Sequence, residues 1–192
     1  MPTVDIYIGT VKDYSDLNQL PLYMEEKLKK IKNQRSIAEK KAGYGLLHHA
    51  VGNIYDIKKC FLGKTGKPLH KDFCFSVSHS SGLVAVAVSS SPVGIDIEKC
   101  EHKNRTDKLI KKFLHENDKE KNSLVLWTVK EAAFKFSETD EFFTPSSIDT
   151  NKFNSKTVKF TWYDTEFMLS VVSDDLTDVN FHSTPNIYVN FE

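Results

Sequence analysis

Residues 93–98, VGIDIE, place two acidic side chains inside a run of β-branched residues. Successive side chains of a strand point to opposite faces, so Val93, Ile95 and Ile97 share one face while Asp96 and Glu98 share the other. Two carboxylates so close raise each other's pKa and repel, unless water, a cation or a basic side chain neutralises them. The same pattern is typical of an amphipathic edge strand whose acidic face meets solvent. The segment therefore predicts a strand with either a solvated or a neutralised acidic face.

The composition and charge balance of the chain limit which partners it can attract. The 192 residues are 40% hydrophobic and 27% charged, enough to bury a core as one domain or two closely packed halves. Lys plus Arg and Asp plus Glu number 26 each, so no global field attracts nucleic acid or an anionic membrane. The first residues lack a signal-peptide pattern, and nowhere do about eighteen apolar residues run together. We expect a cytoplasmic protein without nucleic-acid or membrane partners, with reduced thiols at Cys60, Cys74 and Cys100.

Strand and helix patterns both occur in each half of the chain. Strands are predicted at 3–11, 73–80, 83–90, 93–98, 156–164, 166–173 and 186–192, and helices at 22–31, 35–57 and 104 to about 137. A turn-rich bridge lies at 63–70, and Ser81-Gly82 predicts a hairpin. A hinge near Ser91-Pro92 divides the pattern. The sequence therefore predicts an α+β chain of two similar lobes, 1–91 and 92–192, each a small sheet packed with helices.

A third carboxylate lies in the segment WTVKEAAFK, residues 127–135. On a helix, Glu131 and Lys135 project from one side, while Trp127 and Phe134 can anchor the helix in a core. An exposed pair of Glu131 and Lys135, worth a few tenths of a kcal/mol, is the simpler interpretation of this segment alone. Glu131 could instead join Asp96 and Glu98.

Four segments occur in a characteristic order: Gly66-Lys67-Pro68, Ser78-His79, the GIDIE strand at 94–98 and the WxxKExxxK pattern at 127–135. Together they resemble the signature motifs of the Sfp-type 4'-phosphopantetheinyl transferases. The matched core covers roughly residues 63 to 135, and the flanks match in pattern only. The resemblance implies a pseudo-dimer of two α+β lobes with the active site at their interface.

The resemblance implies a Mg²⁺-dependent transfer of 4'-phosphopantetheine from coenzyme A to a serine of an apo acyl or peptidyl carrier protein. Adenosine 3',5'-bisphosphate is released. Asp96, Glu98 and Glu131 would be the metal ligands, because a hard divalent cation with carboxylate ligands neutralises the charge that gathers on the pyrophosphate. Glu131, directly or through a metal-bound water, would also remove the serine proton.

The resemblance also implies contacts to coenzyme A. Lys135 and His79, with Ser78, would face the phosphates and stabilise charge. Lys67 and Pro68 would lie beside the adenine, although glycine and proline also form ordinary turns. Arg35, in the first lobe, stands where the family has an arginine-serine pair and would meet the 3'-phosphate. A solvated helix face explains Arg35 nearly as well.

Two segments concern substrate access and carrier binding. After its KExxxK helix the family usually has a glycine-containing loop, whereas 136–143 here contains no glycine, so the pantetheine channel is expected to differ. Residues 108–122 carry apolar residues beside lysines, which suits an acidic carrier. A core-facing stripe of an amphipathic helix fits the same residues. A pseudo-dimer of this kind is expected to work as a monomer.

Two functions of other classes stay open. A Mg²⁺-dependent phosphohydrolase or nuclease also needs clustered carboxylates, but the balanced charge argues against nucleic acid as its substrate. A non-catalytic member of the same fold could bind carrier protein or coenzyme A. The presence of Asp96, Glu98 and Glu131 disfavours that alternative.

Overall fold

The computed structural model describes residues 3–16, 20–100, 113–119, 122–137 and 144–183. Within these ranges the helices are α1 (Val11–Tyr14), α2 (Leu22–Lys29), α3 (Gln34–Val51) and α4 (Ser123–Phe136). The strands are β1 (Val4–Thr10), β2 (Phe61–Leu62), β3 (Pro68–Leu69), β4 (Cys74–Ser80), β5 (Leu83–Ser89), β6 (Val93–Lys99), β7 (Ser155–Trp162), β8 (Thr165–Ser173) and β9 (Val179–Ser183). Short 3₁₀ turns occur at Ile57–Lys59, Pro145–Ser147 and Thr150–Lys152.

The strands form two larger sheets and one small hairpin. The first sheet has the order β4-β5-β1-β9, the second has the order β6-β8-β7, and β2 pairs with β3. All pairs are antiparallel except β1 with β9, which is parallel. Helices and mainly antiparallel strands thus occur together, and the predicted α+β class is confirmed.

The two larger sheets share one hydrophobic core. Its buried side chains come from alternate positions of β1, β5, β6, β7 and β8, including Ile6, Ala85, Ile95, Phe160 and Leu169. The opposite face of the first sheet packs against α2 and α3, and the opposite face of the second packs against α4. The layers therefore run helix, sheet, sheet, helix.

Local sequence signals set several boundaries. Helix α3 begins after Asn33, whose side chain accepts a hydrogen bond from the Ser36 amide. It ends at Val51 because Gly52 has a φ of 57°. The expectation that helix continues to residue 57 was therefore wrong. The predicted hairpin between β4 and β5 is confirmed, and its turn has positive φ at Ser81 and Gly82.

The predicted helix from 104 to about 137 is confirmed over Ser123–Phe136 and wrong over 113–119. Residues 104–112 lie outside the described residues, and 113–119 form turns rather than helix. Within these turns the Asp118 carboxylate accepts a hydrogen bond from the His115 amide at 2.7 Å. Asn122 then accepts hydrogen bonds from the amides of Leu124 and Val125, so helix α4 begins at Ser123.

The last strand was not predicted from the sequence. Strand β9 pairs with β1 of the first sheet, with Val179 opposite Val4. The strand predicted at 186–192 lies outside the described residues. The lobe boundary at 91/92 and the structural similarity of the two lobes stay predictions.

Two further features bear on the sequence expectations. Among the helices that the structure describes, none is long and apolar enough to cross a bilayer. The three cysteines, Cys60, Cys74 and Cys100, are free thiols, as predicted.

Candidate active site

Strand β6 presents its acidic face to helix α4. Val93, Ile95 and Ile97 are fully buried in the core shared by the sheets, so the predicted alternation is confirmed. Asp96, on the other face, is only 4% exposed. A solvated edge strand therefore does not describe this segment, because its first carboxylate is covered by protein.

Gly94 allows the helix to approach β6 closely. A Cβ atom at this position would lie 2.0 Å from the Ala132 carbonyl oxygen and 2.6 Å from the Phe136 amide nitrogen. Both atoms belong to the backbone of α4, which cannot give way as a flexible side chain would. The glycine of the GIDIE motif is therefore required for packing, and it brings α4 and its polar side chains over Asp96.

Serine side chains join β4 to β6 at the boundary between the two sheets. The hydroxyls of Ser76, Ser78 and Ser80 accept hydrogen bonds from the amides of Ile95, Ile97 and Lys99 at 3.1, 3.4 and 3.2 Å. Because side chains two apart share a face, the alternating serines of FSVSHS can follow the neighbouring strand. These bonds fix the Ser-His segment alongside the acidic strand.

Lys135 connects the last motif to the other two. Its Nζ donates to Asp96 Oδ1 at 2.7 Å, to the Ile95 carbonyl at 3.1 Å and to Ser78 Oγ at 3.0 Å. Ser78 in turn donates to Asp96 Oδ1 at 2.8 Å. The structure thus brings together three of the residues predicted for the site, which lie on β4, β6 and α4.

Glu98 lies two residues beyond Asp96, on the same face of β6. Its Oε2 accepts a hydrogen bond from Ser80 at 2.9 Å, and the Trp127 indole also donates to its carboxylate. Burial and then the charge of Asp96 raise the pKa of Glu98 above its usual value, and the hydrogen bonds only partly oppose this. Trp127, the first residue of the WxxKExxxK pattern, therefore supports a carboxylate of the acidic strand.

Glu131 has the same electrostatic character. Burial and then the charge of Asp96 raise the pKa of Glu131, while Lys135 lowers it. Asp96 thus acts on the pKa of both glutamates, so the three carboxylates are electrostatic neighbours. A cluster of this kind favours binding of either a proton or a cation.

The carboxylate oxygens of this cluster are of the type that binds a hard divalent cation. Asp96 Oδ2 is buried and has no hydrogen-bond partner among the described residues, which is costly for a carboxylate oxygen. Oxygen ligands of this type are those that Mg²⁺ prefers. However, within the residues that the structure describes, no group of three His, Cys, Asp or Glu side chains is arranged to hold a metal ion. Coordination by Asp96, Glu98 and Glu131 together stays a prediction.

A pocket of about 410 Å³ adjoins this cluster through Lys135. Its walls include four lysines, one histidine and one glutamate: Lys27, Lys40, Lys67, Lys135, His79 and Glu39. Apolar side chains complete the lining, among them Met24, Tyr44, Phe75 and Phe134. The chain has no net charge, yet this pocket concentrates positive charge. It can accept a ligand with an apolar part and several anionic groups.

Several predicted coenzyme A contacts lie in this pocket. Lys67, Pro68, His79 and Lys135 line it. Lys67 also donates to the carbonyl oxygen of Phe136 at 3.2 Å, which links the bridge at 63–70 to the end of α4. The turn and the helix therefore hold one wall of the pocket together.

Arg35 lies apart from the other predicted contacts. Its side chain is 70% exposed, and its Nε donates to Glu39 Oε1 at 2.9 Å. Arg35 does not belong to the residues that line the pocket. Its contact with a 3'-phosphate stays a prediction.

Two lysines of the pocket were not predicted as site residues. Burial and then the charge of Lys27 lower the pKa of Lys40, which indicates that the two ammonium groups are neighbours. They come from α2 and α3, so only the packing of these helices brings them together. The signal available in the sequence, bases interleaved with apolar residues, is equally typical of a solvated helix face.

Lys130 has a structural role. It is only 1% exposed and forms an ion pair with Asp118 at 2.8 Å. It also donates to the carbonyl oxygens of Pro145 and Ile148. These contacts bind α4 to the segments on either side of it. Lys130, the first of the two lysines in the WxxKExxxK pattern, therefore points away from the carboxylate cluster.

Phe134 differs from the sequence expectation. It was predicted to anchor α4 in a core, but it is 52% exposed and lines the pocket. The core side of the helix consists instead of Ala132 and Ala133, whose small side chains permit the close approach to β6. Trp127 packs against Phe113, with ring centroids 5.2 Å apart and ring planes tilted by 47°. Leu114, from the segment predicted to meet a carrier, is 49% exposed.

Comparisons with known proteins identify one family. Residues 92–185 match the sequence model of the 4'-phosphopantetheinyl transferase superfamily. The 4'-phosphopantetheinyl transferase gsp of Aneurinibacillus migulanus is 40% identical over 82 residues, an alignment that covers 36% of this chain and 34% of the relative. The chain thus spans about a third of the length of the curated relative it matches.

Proposed function

Because residues 92–185 match the model of the 4'-phosphopantetheinyl transferase superfamily, we propose that the chain transfers 4'-phosphopantetheine from coenzyme A to a serine of an apo acyl or peptidyl carrier protein. The reaction depends on Mg²⁺ and releases adenosine 3',5'-bisphosphate. One observation carries the proposal: Lys135 lines the cationic pocket and also donates to Asp96 Oδ1 of the carboxylate cluster. A phosphate ligand and a cation site would therefore share this lysine.

The pocket supports coenzyme A as the donor. Coenzyme A combines an adenine, a pyrophosphate and a 3'-phosphate, so it needs both apolar and cationic walls. Four lysines and the apolar side chains of Met24, Tyr44 and Phe75 supply them in one space of about 410 Å³. Lys27 lowers the pKa of Lys40 and Glu39 opposes this only in part, so the two lysines favour an anionic ligand.

The proposed reaction is a phosphoryl-type transfer. The carrier serine oxygen attacks the β-phosphorus of coenzyme A, a new P–O bond forms, and the bond from that phosphorus to the bridging oxygen breaks. The leaving adenosine 3',5'-bisphosphate takes the electron pair. The serine proton passes to Glu131, whose raised pKa makes it a stronger base than an exposed glutamate.

Lys135 and His79 stabilise the phosphates during this step. Lys135 has its Nζ at 2.7 Å from Asp96 Oδ1 and is 27% exposed on the pocket side. Its charge is therefore held at the boundary between the carboxylates and the ligand, where negative charge develops. His79 lines the same pocket and lies beside Ser78 on β4.

Asp96, Glu98 and Glu131 would hold Mg²⁺, with the unpartnered Asp96 Oδ2 as the first ligand. When bound, the ion would neutralise the pyrophosphate and the carboxylates at once. Asp96 would then be shared between the cation and Lys135. The raised pKa values of Glu98 and Glu131 support this assignment. Burial, and then the charge of Asp96, makes their ionised forms costly, and a bound cation would favour those forms.

The test is incubation of the protein with coenzyme A, Mg²⁺ and several apo-carriers, followed by intact mass spectrometry. The proposal expects a carrier heavier by one phosphopantetheine group, together with adenosine 3',5'-bisphosphate. Addition of a chelator should abolish both products. A carrier of unchanged mass beside hydrolysed coenzyme A would establish a phosphohydrolase. Carrier binding without adenosine bisphosphate would establish a non-catalytic binder.

A further inference from the structure

We propose that Glu39 is a positioning residue for His79, which keeps the Nε2 edge of the imidazole toward the phosphates of bound coenzyme A. The inference rests on the proposed function, and it concerns a residue that the sequence motifs do not contain. Glu39 lies on α3 and His79 on β4, so the pair joins a helix to the sheet beneath it.

The geometry places one carboxylate between two basic side chains. Glu39 Oε1 accepts a hydrogen bond from Arg35 Nε at 2.9 Å, while its Oε2 lies 3.6 Å from His79 Nδ1. The Glu39 side chain is only 12% exposed. Arg35 therefore restrains the carboxylate from the solvent side, and the second oxygen faces the ring.

A carboxylate beside one ring nitrogen determines what the other can do. When Nδ1 faces Glu39, Nε2 lies on the opposite edge of the ring, and His79 lines the pocket. At 3.6 Å the contact is an ion pair rather than a hydrogen bond. In the imidazolium form Nδ1–H faces the Glu39 carboxylate, and Nε2–H can donate to an anion. Partners of this type commonly fix the orientation of functional histidines.

The charge of Glu39 makes this assignment testable. It is the one acidic side chain among the residues that line the pocket, beside four lysines. By Coulomb's law alone, removal of its negative charge should improve the binding of a phosphate ligand. A positioning role predicts the opposite, since His79 would lose its orientation.

The surroundings of His79 explain why it needs a carboxylate. Glu39 and Lys40 face it from α3, Lys135 from α4 and Asp96 from β6. Burial is the largest influence on the pKa of His79 and lowers it, and the two lysines act in the same direction. Glu39 is the stronger of the two opposing charges. The pKa of His79 is nevertheless lowered overall. Glu39 thus opposes the loss of the ring proton that Nε2 needs in order to donate to a phosphate, and a bound anion would act in the same direction.

The first experiment measures binding of coenzyme A to the full chain by calorimetry, without metal or carrier. Glu39→Gln should weaken binding by roughly 2- to 5-fold, because the ion pair that orients the ring is lost. In a His79→Ala background the same change should no longer weaken binding, because there is no ring to orient. Glu26→Gln on α2, which removes the same charge outside the pocket lining, is the matched control.

The second experiment does not depend on coenzyme A. Nitrogen-15 NMR of the His79 ring in the ligand-free protein should show changed Nδ1 and Nε2 shifts in Glu39→Gln, but unchanged shifts in Glu26→Gln. Tighter binding of coenzyme A by Glu39→Gln, or unaltered ring shifts, would overturn the positioning role. If the wild type bound no coenzyme A, the proposed function would fail, while the ring shifts would still decide the role of Glu39.

Discussion

Lys135 Nζ lies 2.7 Å from Asp96 Oδ1, although the two residues are 39 positions apart in the chain. The contact joins the GIDIE strand to the last lysine of the WxxKExxxK helix. Asp96 Oδ1 is occupied by Lys135 and Ser78, while Oδ2 has no hydrogen-bond partner in the part of the chain that the structure describes. The Asp96 carboxylate can therefore accept a hydrogen bond from Lys135 with one oxygen and bind a cation with the other.

Asp96→Asn should abolish transfer while the protein remains folded. The amide keeps the size of the side chain but removes the charge that Mg²⁺ and Lys135 require, and it relieves the repulsion with Glu98 and Glu131. Mg²⁺ should raise the melting temperature of the wild type and leave that of the variant unchanged. Normal activity with normal metal dependence would rule out Asp96 as a ligand.

Gly94→Ala should displace α4 from β6. The added methyl group would meet the Ala132 carbonyl oxygen at 2.0 Å, so the helix must move, at a cost of about 1 to 3 kcal/mol or more in unfolding free energy. Transfer activity should fall further than stability, because Glu131 and Lys135 move with the helix. Urea unfolding and initial rates measure the two effects.

Gly43→Ala is the matched comparison for that variant. A Cβ on Gly43 would lie 2.7 Å from a methyl group of Val77, not from backbone. Gly43 also lies within α3, where alanine favours the helix by about 1 kcal/mol. Gly43→Ala should therefore reduce the unfolding free energy less than Gly94→Ala does. Equal losses in the two variants would contradict the specific role of the α4–β6 approach.

Which side chains share a face of β6 was predictable, because strand geometry alone decides it. The class of fold was also predictable, since helical and strand periodicities occur in both halves. The contact of Lys135 with Asp96 was not, because it depends on how closely α4 packs on Gly94. The serine alternation of FSVSHS was visible, but its partners are amides of β6, which no local pattern reveals.

The errors have the same origin. The helical pattern near 113–119 is overridden by Asp118, which binds the His115 amide and the distant Lys130. Strand β9 depends on parallel pairing with β1, about 175 residues earlier in the chain, where the Val179 partner is Val4. Glu39 lies within an ordinary-looking helix, and only its approach to His79 distinguishes it. Long-range contacts thus explain what sequence periodicity misses.

Asp118→Asn should reduce stability in a pH-dependent way. Burial alone would raise the pKa of Asp118, but the hydrogen bonds from Lys130, the His115 amide and Thr150 outweigh it, so the pKa lies below 3.8. The unfolded state therefore binds the proton first as pH falls, and stability is lost through that range. At pH 7 the variant should lose about 2 kcal/mol of unfolding free energy.

The difference in unfolding free energy between wild type and Asp118→Asn should narrow below pH 3.8, because there the unfolded wild type binds a proton that the folded protein does not yet bind. The urea unfolding midpoints of wild type and variant at pH 7 and pH 3 measure this difference in stability. Asp174→Asn, an exposed aspartate without a place in this network, is the control. A gap that stays constant with pH would mean that the charge of Asp118 does not stabilise the fold.

Glu131→Gln separates a metal ligand from a base. Glutamine keeps the size and one oxygen able to bind a cation, but it cannot accept the serine proton. If Glu131 only held Mg²⁺, a saturating concentration of the ion should restore most of the rate. We expect instead that transfer at saturating Mg²⁺ stays lower by roughly 10² or more, because the base is lost.

Binding of coenzyme A should survive in Glu131→Gln, since Glu131 does not line the pocket that holds the four lysines. The loss should therefore fall on kcat rather than on the affinity for coenzyme A. Initial rates across a Mg²⁺ series, with calorimetry of coenzyme A binding beside them, measure both. If added Mg²⁺ restored the full rate, Glu131 would be a ligand alone, and the proton of the carrier serine would have to leave by another group.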